Sequence, residues 1–151
     1  MTGEYELYHG AVLRELIVRA PGPLLVEKCD QIGRVNTYLL NGRTGIQIKH
    51  SAKRLPPWQF TFNHESLTEL NTLIAGHPTS WIALVCGMDG IVALTVAEFR
   101  TLTDVTNVTA RYIRVDRDRN TMYRIFGNTG KLQNAKPRGV AGVISDAFRD
   151  G

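Results

Sequence analysis

The stretch RVNTYLLNGRTGIQIKHS, residues 34–51, decides the fold. Residues 34–40 are rich in β-branched, aromatic and aliphatic side chains, and residues 44–51 alternate apolar with polar. Both are strand patterns. Asn41-Gly42 lies between them, the dipeptide that tight hairpins select because both residues accept positive φ. Two antiparallel strands are therefore predicted. Outward on the N-terminal side, PLLVEKC (23–29) predicts a further strand. On the C-terminal side, WQFTFN (58–63) predicts another, with Trp58, Phe60 and Phe62 on one face and Gln59, Thr61 and Asn63 on the other. Trp58 thereby joins the two phenylalanines in the core.

Helical spacing of Val12, Leu13, Leu16 and Ile17 predicts a helix over 8–19, stopped by Pro21-Gly22-Pro23. Leu67, Leu70, Leu73 and Ile74 predict a second over 66–76, ending at Gly76. WIALVCG (81–87) is continuously apolar, as a strand covered on both faces must be. Asp89-Gly90 turns it into IVALT (91–95), and a short helix follows over 96–105. Strands are expected near 108–115 and 121–126, joined through Asp116-Arg117-Asp118-Arg119-Asn120, whose alternating charges predict a locally salt-bridged turn. A last helix over 139–150 turns Val143, Ile144 and Phe148 inward. The expected architecture is one α/β (α+β) domain: a mixed central sheet with flanking helices over 8–105, and a small C-terminal β extension with a short helix over 106–151.

The 151-residue chain is a common length for one domain, and 43% hydrophobic with 21% charged residues is a globular composition. No apolar run approaches the ~18 residues that span a bilayer, which predicts no membrane partner. The start, MTGEYELYHG, lacks the basic and apolar segments of a secretory signal. Two cysteines, Cys29 and Cys86, are too few for a disulfide scaffold and predict a reduced, cytoplasmic setting. The net charge of +4 conceals segregation. Residues 41–63 carry Arg43, Lys49, Lys53 and Arg54 with no acid, residues 64–105 are net −4, and residues 106–138 are net +6. If the fold joins the two basic segments, they form one polarised surface suited to DNA or RNA.

Chemistry is concentrated in GIQIKHS (45–51), where alternation sends Ile46 and Ile48 to one face and Gln47, Lys49 and Ser51 to the other. A lysine two residues from an amide oxygen can stabilise developing negative charge while its neighbour holds a metal or substrate. The element order and this motif resemble the restriction-endonuclease-like, PD-(D/E)XK, nuclease fold over roughly residues 8–95. That family runs helix, three-strand meander, helix, strand, with an acid-x-Lys motif on the third strand. The resemblance implies Lys49 and Gln47 as catalytic residues, with Glu15 and Asp30 beside them, and Glu15, Asp30 and Gln47 as ligands of Mg²⁺. The family's upstream Asp has no counterpart in 34–46, which contains no carboxylate, so Asp30 is the nearest candidate. The runs IKHSAKRLPPWQFTF (48–62) and LVCGMDGIVAL (84–94) also resemble a group of small bacterial proteins, which lends support to the fold boundary and carries no activity over.

The nucleic-acid contacts expected are Arg43, Lys49, Lys53 and Arg54, extended by Arg111, Arg114 and Arg124. Alternation puts Arg111 and Ile113 on one strand face and Tyr112 and Arg114 on the other. The four histidines show no metal-ligand spacing, Cys86 lies within an apolar strand as a small hydrophobe, and no nucleotide-binding glycine motif occurs. Two functions lead from sequence, ahead of a small-molecule pocket at the carboxyl ends of the strands. One is a nucleic-acid-binding protein of nuclease-like fold, active with Mg²⁺ or inactive. The other is a non-enzymatic protein-interaction module, in which acidic and basic segments pair across a homodimer and cover apolar sheet edges.

Overall fold

Asn41 and Gly42 take φ of 52° and 67°, turning the chain between strand β2 (Thr37–Leu40) and strand β3 (Thr44–Ser51). The structure is a computed structural model that describes residues 3–29, 35–103 and 111–149. Strand β1 (Val26–Lys28) is antiparallel to β2, and β2 is antiparallel to β3 with Thr37 opposite Gln47. Strand β5 (Ser80–Cys86) runs parallel to β3 from Gly45–Ser80 to Ser51–Cys86, and β6 (Gly90–Thr95) returns antiparallel to β5. The sheet order is β1-β2-β3-β5-β6.

Strand β4 (Trp58–Phe62) follows β3 in sequence but leaves this sheet, because β2 and β5 already occupy both sides of β3. It pairs instead with β7 (Arg111–Asp116), which pairs with β8 (Arg124–Gly127), giving a second antiparallel sheet. The fold is thus mixed α and β in one domain, with the C-terminal extension and β4 sharing a sheet.

Helices α1 (Glu4–Arg19) and α4 (Ala141–Ala147) cover one face of the large sheet, where Val12, Leu16, Val143 and Ala147 pack on Ile46, Ile48, Ala83 and Val85. The other face presents Ile82, Leu84, Cys86, Val92 and Leu94 to the second sheet, to α2 (His64–Gly76) and to α3 (Val96–Leu102). Both faces of β5 are therefore buried, which accounts for its unbroken apolar sequence. Asn63 caps α2 by accepting from the Ser66 amide, and Thr95 with Glu98 forms a capping box on α3. Trp58 is fully buried, as its alternation with Phe60 and Phe62 predicts.

Three expectations are adjusted. The first helix begins at Glu4, a full turn before residue 8, and Ile17 is 61% exposed, so its buried stripe is His9, Val12 and Leu16. The first two strands are shorter than their apolar stretches, β1 by its first residues and β2 beginning at Thr37. The charged turn is salt-bridged locally only in part. Arg117 reaches Asp89 in the β5–β6 turn at 2.7 Å, and Asp116 and Asp118 both lie 3.6 Å from Arg124.

Asp89 joins the two sheets, accepting from Arg117 Nη2 at 2.7 Å and from Tyr123 Oη at 2.6 Å. Burial alone would raise its pKa, but the bonds from Tyr123 and Arg117 and the charges of Arg117 and Arg138 outweigh it and hold the carboxyl below the usual aspartate range. A carboxyl with depressed folded-state pKa contributes stability above its unfolded pKa and loses it as pH falls through the folded value. Asp89→Asn is therefore expected to cost about 2 kcal/mol at neutral pH, with the gap to wild type narrowing below about pH 4. Urea denaturation at both pH values checks this, and an unchanged gap would exclude the ionised carboxylate as its source. Among the described residues no helix is long and apolar enough to cross a membrane.

Candidate functional site

The alternation of β3 turns Ile46 and Ile48 toward α1 and Gln47 and Lys49 toward α2. Gln47 is fully buried, and its Nε2 donates to the Ser66 carbonyl at 3.0 Å. Its Oε1 is buried and accepts from no described donor, a state that native proteins seldom leave without a role. Lys49 Nζ donates to Ser66 Oγ at 3.3 Å and lies 5.2 Å from the centroid of the Phe62 ring. Ser66 thus bonds both β3 side chains through two different oxygens.

Glu69, one helical turn after Ser66, is the carboxylate whose charge acts on Lys49. Burial pushes the Lys49 ammonium below the usual lysine range, and the Glu69 charge partly offsets this. Burial, followed by repulsion from Glu65, pushes Glu69 above the usual glutamate range, while a hydrogen bond from Asn36 and the charge of Lys49 oppose the rise. The two pKa values move toward each other, each chiefly through burial. Sequence reasoning missed Glu69. The signal was available: Leu67, Leu70 and Leu73 fix the buried side of α2, and Ser66 and Glu69 lie along its border.

The expected metal set is not assembled as predicted. Glu15 sits on α1, across the sheet from Gln47 and Lys49, and its Oε1 is paired with Arg19 Nε at 2.9 Å. The helix phase that buries Val12 and Leu16 against Ile46 and Ile48 also puts Glu15 on the face that Gln47 turns away from. Asp30 lies outside the described residues. Among the described residues no three His, Cys, Asp or Glu side chains form a metal-ligand group.

The basic candidates divide. Lys53 and Arg54 are exposed in the loop between β3 and β4, where Lys53 Nζ donates to the Pro57 carbonyl at 3.1 Å. The β4–β7 pairing sets that loop beside the outward side of the second sheet, and an open depression of about 330 Å³ is lined by Pro57, Tyr112, Arg114, Asp116 and Phe126. Arg114 Nη2 lies 3.5 Å from Gln59 Oε1, and Arg124 is about half exposed. Arg43 and Arg111 stand apart from this cluster. Arg43 is in the β2–β3 turn at the far end of β3, and Arg111 is opposite Phe62 on the inward side of β7. Tyr112 and Phe126, both exposed beside the arginines, were not among the residues expected to bind. No family model, curated protein or solved structure matches this chain.

Proposed function

We propose that this is a nucleic-acid-binding protein related to restriction-endonuclease-like nucleases, with Lys49 at the centre that meets the phosphodiester. The observation that carries the reading is the half-buried Lys49 on β3, bonded to Ser66 and within the field of Glu69, on the same strand face as the unpartnered Gln47 Oε1. It is supported by the antiparallel β1–β2–β3 meander, by β5 lying parallel to β3, and by helices on both sheet faces.

That resemblance implies Mg²⁺, a hard cation that binds one or two carboxylates and otherwise waters and phosphate oxygens. Gln47 Oε1 and the Glu69 carboxyl are hard oxygen donors on the α2 side of β3, as Lys49 is, and these two would hold the ion in place of Glu15. Bound there, Mg²⁺ would polarise a phosphoryl oxygen and lower the pKa of a water. Lys49 brings positive charge to the place where the phosphate gains negative charge, and Ser66 fixes its position.

One carboxylate next to Lys49 is also compatible with binding that does not proceed to cleavage. The test measures both on the same protein: affinity for duplex and single-stranded oligonucleotides across a salt series, and release of fragments with Mg²⁺ or Mn²⁺. Expected are salt-sensitive binding and metal-dependent cleavage that falls about 100-fold in Lys49→Ala and in Glu69→Gln, while Glu15→Gln cleaves at the wild-type rate. Binding without cleavage by wild type assigns the protein as a binding relative of the nucleases. Absence of any salt-sensitive binding overturns the reading, and a salt-sensitive homodimer in its place favours the interaction-module alternative.

A further inference from the structure

The second sheet has one face that the catalytic reading does not use. Its inward side is made of Trp58, Phe60, Phe62, Ile113, Val115 and Ile125, all buried. Its outward side would need no aromatic residue if it met only water, yet Tyr112 on β7 and Phe126 on β8 are 37% and 36% exposed. The register sets Arg114 directly opposite Phe126, and Tyr112 is two residues from Arg114 on the same side. Tyr112 and Phe126 are therefore diagonal neighbours, within reach of one another across the strand pair. Phe126 forms a wall of two open depressions, of about 330 Å³ and about 460 Å³, and the second is lined also by Arg124 and Lys131.

We infer that this face is a platform for single-stranded nucleic acid, Tyr112 and Phe126 stacking on successive bases and Arg114, Arg124 and Lys131 meeting the backbone phosphates. The charge points to an anionic occupant, since Arg114, Arg124 and Lys131 outnumber Asp116 on the walls of the two depressions. Asp116 and Asp118 share Arg124 at 3.6 Å in exposed, weakly held contacts that leave it able to turn to a phosphate. The aromatics select single strands over duplex. An exposed ring stacks on an unpaired base, whereas the bases of a duplex are already stacked on each other. Stacking is indifferent to sequence, so DNA and RNA single strands share the recognition chemistry, and a 2′-hydroxyl preference would appear as a difference between them. This inference rests on the nucleic-acid reading above but is independent of Lys49.

The experiment is fluorescence anisotropy with labelled oligothymidine, oligouridine and a mixed-sequence duplex, on wild type and on Tyr112→Ala, Phe126→Ala, their double variant and Arg114→Gln. These side chains are outside the core, and circular dichroism verifies that each variant stays folded. The platform predicts tighter binding of single strands than of duplex. Each aromatic variant should lose about tenfold and the double variant about 100-fold in affinity. Arg114→Gln should lower the slope of log affinity against log salt by about 0.7. A double variant within about twofold of wild type overturns the platform while the nucleic-acid reading stands. So does a preference for duplex. A self-association that Tyr112→Ala and Phe126→Ala abolish assigns the face to a second copy of the chain instead. Wild type that binds no nucleic acid at any salt overturns both readings together.

Discussion

Trp58→Ala is expected to lower stability by about 4 kcal/mol, a fall in melting temperature of about 8–16 °C for a chain of this size. Trp58 is fully buried at the meeting of the two sheets, edge-on to Tyr123 with ring centroids 6.3 Å apart. Truncation removes the largest side chain of that core and opens a cavity that close-packed neighbours refill only in part. It also removes the 2.8 Å bond from Trp58 Nε1 to the Lys53 carbonyl, which ties the basic loop to the body of the protein. Trp58→Phe separates the two losses. It keeps an aromatic ring in the core and deletes the bond, and should cost about 1–2 kcal/mol. Thermal and urea denaturation of both variants give the values. A Trp58→Ala protein within about 1 kcal/mol of wild type would contradict the placement of this ring between the sheets.

The elements that could be read from sequence were those whose signals are local. Asn41-Gly42 fixed a turn by backbone chemistry alone, and the β3 alternation followed from period two. The unbroken apolar run of β5 announced cover on both faces. What could not be read was partnership over distance. Alternation told which face of β4 is buried but not that its partner is β7, roughly fifty residues later, because β2 takes one side of β3 through the hairpin and β5, whose parallel pairing no local pattern encodes, takes the other. The same limit governed the site. Gln47 and Lys49 were legible as a pair on one strand face, whereas Glu15 was joined to them only by helix order. Which side of a sheet a helix covers is decided by packing, and α1 covers the side of Ile46 and Ile48. Glu69 took the position next to Lys49 because α2 lies on the other side. The charged turn was legible in part for a related reason: Asp116 and Asp118 pair locally with Arg124, but Asp89 gave Arg117 a distant partner already held by Tyr123.

The charge segregation acquires meaning from this topology. The basic stretches around Lys53–Arg54 and Arg114–Arg124 are far apart in sequence and become neighbours because β4 pairs with β7. The catalytic candidate faces α2, and the proposed single-strand platform faces outward on the second sheet, so β4 is shared by both regions. Its inward Phe62 lies under Lys49, and its outward Gln59 meets Arg114. A strand bound along the platform would approach the Lys53–Arg54 loop, whose position then matters to both functions.

That loop is the target of the second large effect. Gly87→Ala is expected to destabilise the protein by about 3 kcal/mol and, on the proposed function, to weaken nucleic-acid binding beyond what the stability loss explains. Gly87 sits at φ +53°, where an L side chain is strained, and a Cβ there would lie 2.3 Å from the Lys53 carbonyl oxygen and 3.4 Å from Trp58 Nε1. The obstacle is backbone, so no rotamer change relieves it. Either the 52–57 loop moves outward, breaking the bond from Trp58 to Lys53, or the β5–β6 turn shifts and strains the 2.8 Å bond from the Gly87 amide to the Ser51 carbonyl. The two routes separate by experiment. Loop displacement gives early amide exchange in 52–57, with Trp58 Nε1–H losing its protection and affinity for oligonucleotides falling, while β6 stays protected. Displacement of the turn exposes the amides around Asp89 and leaves affinity unchanged. The first is expected, because the loop has exposed side chains and few buried contacts, whereas the turn is held by Asp89 through Arg117 and Tyr123. Exchange and affinity both at wild-type levels in Gly87→Ala would show that the loop is not seated on Gly87 in solution.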